Sequence, residues 1–142
     1  MLVGLKEILA LAQAGGYAIP AFNVYNMETV IGCITAAEDL HAPVILQTYS
    51  RLFKEGSGYY LAPSVLAAAK KAKVPVCFHL DHGASELETT RALRYGCTGV
   101  MIDASAMDFD RNVELTRKVV EAANYVEVTV EGELGHVGTG ND

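Results

Sequence analysis

The chain has 142 residues, 51% of them hydrophobic and 20% charged, with a formal net charge of −6. That balance is globular rather than disordered and leaves room for one domain over residues 1–142. Mild acidity with no block of Lys or Arg argues against nucleic acid as a partner, and no apolar run is long enough to cross a membrane.

In chain order, Leu5 to Ala14 carries apolar residues at helical spacing and runs into Gly15-Gly16, which predicts a helix and its stop. Tyr17 to Phe22 predicts a strand, Met27 to Leu40 a helix with Val30, Ile34 and Ala37 inward, and Pro43 to Thr48 a second strand. Tyr49 to Gly58, polar and with two glycines, predicts a mobile loop, after which Pro63 sits in the first turn of a helix reaching about Lys73. Pro75 to Leu80 predicts a third strand, and Ser85 with Glu88 a capping box opening a helix that stops near Gly96. Thr98 to Asp103 predicts a fourth strand. Asp108 or Asp110 caps the next helix, with Val113, Thr116, Val120 and Ala123 on one face, and Val126 to Glu131 predicts a fifth strand.

Strand and helix alternating in this way predict a parallel α/β fold. Two architectures compete: an open doubly wound sheet, and a (β/α)8 barrel of which the chain would supply about the first five β/α units. Cys33, Cys77 and Cys97, odd in number and each in an apolar stretch, are expected as buried reduced thiols of a cytoplasmic protein. Lys6 and Glu7 interrupt the early hydrophobic residues, so no signal peptide is expected.

Either architecture places chemistry at the C-terminal ends of strands. Those ends read Asn23, Gln47, His79 to His82, Asp103, and Glu131 with Glu133. His79-Leu80-Asp81-His82-Gly83 holds two imidazoles and a carboxylate within four residues, which suits metal ligation beside proton transfer. On a regular strand His79 and Asp81 share a face and His82 points away, so the strand must already be turning there for Asp81 and His82 to serve one site. Glu131 and Glu133 share a parity, and two such carboxylates on one side need a cation or a shared proton.

The runs HLDHG after PVCF, GVMIDAS and VEGELGHVG, with AFNVYNMET and PVILQ before them, resemble the class II fructose-bisphosphate and tagatose-bisphosphate aldolases, in the right order along essentially the whole chain. The resemblance favours the barrel. It implies a zinc-dependent lyase that cleaves a ketose 1,6-bisphosphate reversibly to dihydroxyacetone phosphate and glyceraldehyde 3-phosphate. In it, Lewis-acid zinc acts as the electron sink at the ketone.

Residue by residue, the resemblance implies that His82 ligates the zinc and that Asp81 exchanges the proton of the substrate's C4 hydroxyl. Glu133 ligates or lies near the metal, and Asp103 holds the region of a second, monovalent or divalent cation. Asn23, Gln47 and Ser50 contact substrate, while His79 supports the ligands from behind. The remaining zinc ligands and most of the phosphate site are expected on later strands. The resemblance also implies a homo-oligomer, dimer or tetramer.

Two departures stand out. Tyr49, with Ser50 one place later, occupies a position where much of the family has Ser. The loop after the Glu-Leu-Gly step reads Gly140-Asn141-Asp142, which makes Asp142 the candidate loop base. The alternative is a non-catalytic or altered-substrate paralogue that binds a sugar phosphate or a metal.

Overall fold

The computed structural model describes residues 1–135. Its elements are α1 (Leu5–Gly15), β1 (Ala21–Asn23), α2 (Met27–Asp39), β2 (Val44–Tyr49), α3 (Ser50–Glu55), α4 (Gly58–Lys71), β3 (Val76–Gly83), α5 (Glu86–Arg94), β4 (Gly99–Ile102), α6 (Phe109–Asn124) and β5 (Thr129–Gly132). The five strands form one parallel sheet in the order β1-β2-β3-β4-β5. That order decides between the two architectures. A doubly wound sheet reverses direction at a switch point, whereas sequential order winds one way only, as a (β/α)8 barrel does.

Alternation along the strands separates the two faces of the sheet. Val44, Leu46, Val76, Phe78, Leu80, Val100 and Ile102 point outward and are buried with Val30 and Ile34 of α2, Val65 and Ala69 of α4, Ala92 of α5 and Val119 of α6. The opposite, concave face holds Ile45 and Cys77 at its N-terminal end, closed by Leu5 and Ile8 of α1. The segment before α1 is laced to β3: Val3 N–H donates to Val76 C=O at 2.9 Å, and Val76 N–H to Met1 C=O at 2.8 Å. Cys77 and Cys97 are buried and unbridged, as their apolar settings predict, whereas Cys33 is free but only half-buried.

Several boundaries differ from expectation, each for a local reason. Pairing of β1 starts only at Ala21, because Pro20 has no N–H and contributes only its C=O, to Ile45 N–H at 3.0 Å. The expected loop at Tyr49 to Gly58 is mostly helix. Phe53 is fully buried and stacks on Tyr95 at 6.0 Å, which anchors α3, and Gly56 ends it in the left-handed region at φ 86°.

Pro63 is therefore not in a first turn but inside α4, whose buried stripe of Gly58, Ala62, Val65 and Ala69 begins before it. At α5, Ser85 makes no side-chain cap. Glu88 does not accept from the Ser85 N–H that a capping box requires; it accepts from the N–H of Ala84, one residue earlier, at 2.5 Å. Asp108, not Asp110, caps α6 by accepting from Arg111 N–H at 3.0 Å.

The inward face of α6 is Asn112, Val119 and Ala123. Val113, Thr116 and Val120 instead line an open groove of about 460 Å³ with Phe109 and Leu134. The fifth strand starts at Thr129 rather than Val126, after a turn with Glu127 at φ 58°.

Candidate active site

Between β3 and β4 the register steps from Leu80↔Val100 to Gly83↔Ile102, three residues on one strand against two on the other. The extra residue is a bulge, and it falls at Asp81-His82. His82 takes φ 49°, a left-handed conformation that non-glycine residues adopt only where the surroundings enforce it. Gly83 lets the strand rejoin its partner, since a Cβ there would lie 2.5 Å from Met101 C=O and 2.8 Å from Leu80 Cδ2. The strand does turn where the chemistry requires it. The turning residue is His82 itself, and β3 continues beyond it.

Asp81 and His82 therefore serve opposite sides of one site. Asp81 faces β1 and β2, where Asn23 Nδ2 donates to its Oδ2 at 3.0 Å and Gln47 Nε2 to its Oδ1 at 2.5 Å. Two amide donors on two oxygens fix the plane of the carboxylate and leave its remaining lone pairs free to accept. His82 faces β4 and β5, with Nδ1 2.9 Å from Asp103 Oδ2 and 3.6 Å from Glu133 Oε2.

His82, Asp103 and Glu133 each offer a ligand atom within 4.8 Å of the others, the one such group among the described residues. An imidazole flanked by two carboxylates is a donor set that fits a divalent cation, and the two anions need a positive charge between them.

The electrostatics follow from these contacts. The hydrogen bond to Asp103 raises the His82 imidazole above the usual histidine range, against partial burial, and the charges of Asp81, Asp103 and Glu133 add to the rise. Burial pushes the Asp103 carboxyl upward. Hydrogen bonds from Ser105 Oγ at 2.6 Å, from His82 and from Ser105 N–H at 3.0 Å outweigh it and hold the group below the carboxylate range. Ser105 was not singled out in the sequence, although Asp-x-Ser directly after a strand is the signature of such a turn.

Glu131 and Glu133 have different histidines as partners. Glu131 Oε2 lies 3.3 Å from His79 Nε2, a contact that, against burial, holds Glu131 below the usual carboxylate range. His79 is buried, and neither ring nitrogen has a partner in full hydrogen-bond geometry among the described residues. Glu133 lies past the end of β5 with only 15% of its side chain exposed, so it is not a solvated loop residue. Its C=O accepts from Asn112 Nδ2 at 2.8 Å, and Asn112 Oδ1 accepts from Thr116 Oγ1 at 3.2 Å. Asn112 was also missed, because an Asn one turn into a helix carries no distinctive spacing.

Gln47, His79, Asp81 and Glu131 line the polar end of a cleft of about 480 Å³ on the concave face, with Leu5, Leu9 and Ile45 at its apolar end. Ser50 is not brought to this group: it is buried at the head of α3 and makes no hydrogen bond to Asp81 among the described residues. Tyr49, 44% exposed, is the residue in register with Asp81. Asp142 lies outside the described residues.

Residues 3–142 match the family described as fructose-bisphosphate aldolase class-II. The chain is 50% identical over 137 residues to a fructose-bisphosphate aldolase of Thermus caldophilus, covering 96% of this chain and 45% of that protein. It is 41% identical over 146 residues to a plasmid-borne fructose-bisphosphate aldolase of Cupriavidus necator, covering 97% and 42%. Among solved structures, the YdjI aldolase of Escherichia coli K12 superposes with a TM-score of 0.90 at 36% identity, over 95% of this chain and 51% of that one. The chain spans about half the length of the curated relatives it matches.

Proposed function

The chain belongs to the class II fructose-bisphosphate aldolase family, and from that premise we propose that the complete protein is a zinc-dependent ketose-bisphosphate aldolase. The reaction is the reversible cleavage of a fructose- or tagatose-type 1,6-bisphosphate to dihydroxyacetone phosphate and glyceraldehyde 3-phosphate. Residues 1–142 form the N-terminal portion of its single barrel domain. The observation that carries this reading is the bulge at Asp81-His82. It sets a clamped carboxylate on one side of the strand end and an imidazole with two carboxylates on the other.

His82 and Glu133 hold the metal in this reading, and Asp103 holds His82 and the region of a second cation. Bound there, zinc supplies Lewis acidity to the substrate's ketone. The chain's own residues handle the proton. In cleavage, Asp81 accepts the proton of the C4 hydroxyl as the C3–C4 bond breaks, and it returns that proton in condensation. Asn23 and Gln47 keep its two oxygens turned toward the substrate's hydroxyl. A separate base, with Asp142 the candidate, serves the C3 carbon. Zinc as the metal, a cytoplasmic location and a dimeric or tetrameric assembly belong to the same proposal. Among the described residues no helix is long and apolar enough to cross a membrane.

Tyr49 favours a second reading, an aldolase for a different aldehyde, because it holds the register position beside Asp81. One experiment covers both. The purified complete protein is assayed for metal content and for dihydroxyacetone phosphate release from fructose and tagatose 1,6-bisphosphates, before and after chelation and zinc return. Zinc-restored release supports the proposal. Metal-free protein that still cleaves overturns it, and zinc-bound protein that cleaves neither ketose favours the altered-aldehyde reading.

A further inference from the structure

We propose that His79 is a positioning residue: it reaches across β4 through a notch at Gly99 to hold Glu131, and so fixes the end of β5 that brings Glu133 beside His82. This rests on the metal-centred reading above.

His79 and Glu131 are not on neighbouring strands, because β4 lies between β3 and β5. Strands are ~4.8 Å apart, so the pair must bridge about twice that distance over whatever stands on β4. The residue in the way, in register with His79, is Gly99. A Cβ at that position would lie 2.7 Å from His79 Cδ2 and 2.7 Å from Leu5 Cβ. The ring thus lies over a place that only glycine leaves open, packed under Leu5, and its Nε2 comes within 3.3 Å of Glu131 Oε2.

A buried imidazole whose nitrogens find no full hydrogen bond among the described residues is a costly way to fill an interior that Leu or Phe would fill better, so its polar end has a task. The task is set by the chain that follows. Glu133 stands two residues beyond Glu131, past a four-residue strand whose only sheet partner among the described residues is β4. From the helix side its carbonyl is held by Asn112. From the concave side, the polar contact described for the strand's end is that of Glu131 with His79. Loss of that contact frees the segment to move, and with it the carboxylate that faces His82.

The test uses the complete enzyme and four variants: His79→Leu, His79→Gln, Gly99→Ala and His82→Ala. Zinc affinity is read by competition with a chelator, and ligand geometry by the visible spectrum of the cobalt-loaded protein. His79→Leu should weaken zinc by roughly 10–100-fold, as loss of a support behind a ligand does, and alter the cobalt spectrum. His79→Gln, whose amide can still reach Glu131, should retain most of the affinity and the native spectrum. Gly99→Ala, which crowds the ring without touching any ligand, should shift both readouts in the direction of His79→Leu.

Native affinity and spectrum in His79→Leu, while His82→Ala loses its zinc, overturn the proposal. So does a His79→Gln variant as damaged as His79→Leu. Should His79→Leu fail to fold, Gly99→Ala decides, and unchanged affinity there overturns the proposal. Zinc retained at native affinity by His82→Ala overturns the metal-centred reading instead, and this inference with it.

Discussion

The two faces of this sheet are built from alternate residues of the same five strands, yet they answer to different physics. The outward row, with Leu46, Phe78, Leu80, Val100 and Ile102 all fully buried against helices, contains nothing that titrates. The concave row runs through Gln47, His79, Asp81 and Glu131, and it borders an open cleft. Burial drives the first row, which accounts for its β-branched and aromatic content. The second is a set of polar groups that hold one another at fixed spacing, and its stability comes from the first. One residue per strand step therefore separates folding from chemistry, and the bulge at His82 is where the separation is broken on purpose.

If that division holds, damage to the concave row should remove function with little loss of fold. The largest effect is expected for His82→Ala in the complete protein. Zinc content and aldol turnover should disappear together, with a melting temperature close to that of the chelated native protein. Stoichiometric zinc with normal turnover would refute the assignment of His82.

Asp81→Ala comes next, with cleavage slowed by ~10²–10⁴-fold, the usual contribution of an acid/base side chain. Zinc-dependent exchange of the C3 proton of dihydroxyacetone phosphate should persist, because that step uses a different base. Deuterium wash-in measures it, and exchange lost with zinc retained would show that the two proton transfers are not separate.

How much of this was legible in the sequence also follows from the two rows. Helix stripes were readable because burial leaves a period, and strand interiors because it leaves short apolar runs: Val44 to Leu46, Val76 to Leu80 and Gly99 to Ile102 fall within the strands those runs predict. The cluster at the end of β3 was readable because His and Asp crowd one strand end, and the structure brings His82, Asp103 and Glu133 together there. Three things were not.

The helix at Ser50–Glu55 was hidden because Phe53 is its one fully buried apolar side chain, too little to make a period. The partners of Glu131 and Glu133 were hidden because parity puts both on one side, while only the fold shows that one goes to His79 and the other to His82. Asn112 and Gly99 were hidden because each acts through a neighbour distant in sequence. The choice of barrel over doubly wound sheet rested on the resemblance, since periodicity does not contain strand order, and the sequential order bears it out.

The opposite half of the comparison is broken by damage to the outward row. Phe78→Ala should cost ~3–5 kcal/mol of stability, the range for truncating a buried aromatic. Zinc affinity of the molecules that remain folded should be native. Denaturant melts of the chelated protein measure the first, chelator competition at low temperature the second. Weakened zinc in the folded fraction would mean the two rows are coupled through the strands.

Asn112→Leu is a smaller change that crosses the boundary. It leaves the Glu133 carbonyl without its donor, at a cost of ~1–3 kcal/mol for a buried acceptor. It should also weaken zinc, since Glu133 is the residue displaced. A stability loss with native zinc affinity would show that Asn112 only serves the packing of α6.

The smallest effect is the one that pH should reveal, and its sign differs between the metal-free and metal-bound protein. His82 has its pKa raised by Asp103, so in the metal-free fold its contribution is fully present below the unfolded histidine value and is lost as pH rises through the raised one. Asp103 is lowered, so its contribution is present above the unfolded carboxylate value and is lost as pH falls through the lowered one. The pair therefore supports the metal-free fold most between those limits, from the upper end of carboxylate titration to the unfolded histidine pKa. It loses support as the solution becomes neutral and then alkaline. With 45% of the His82 side chain exposed, solvent screens much of this, and the loss should be slight.

Zinc reverses the trend, because it needs the neutral ring. Affinity should rise by ~10-fold per pH unit while His82 is still protonated, and level off once pH passes the raised value. Melting the chelated protein across pH and titrating zinc across the same range tests both slopes. Asp103→Asn, which removes the largest cause of the raised pKa, should flatten the first slope and move the plateau of the second to lower pH. An unshifted plateau in that variant would mean that Asp103 is not what holds the proton on His82.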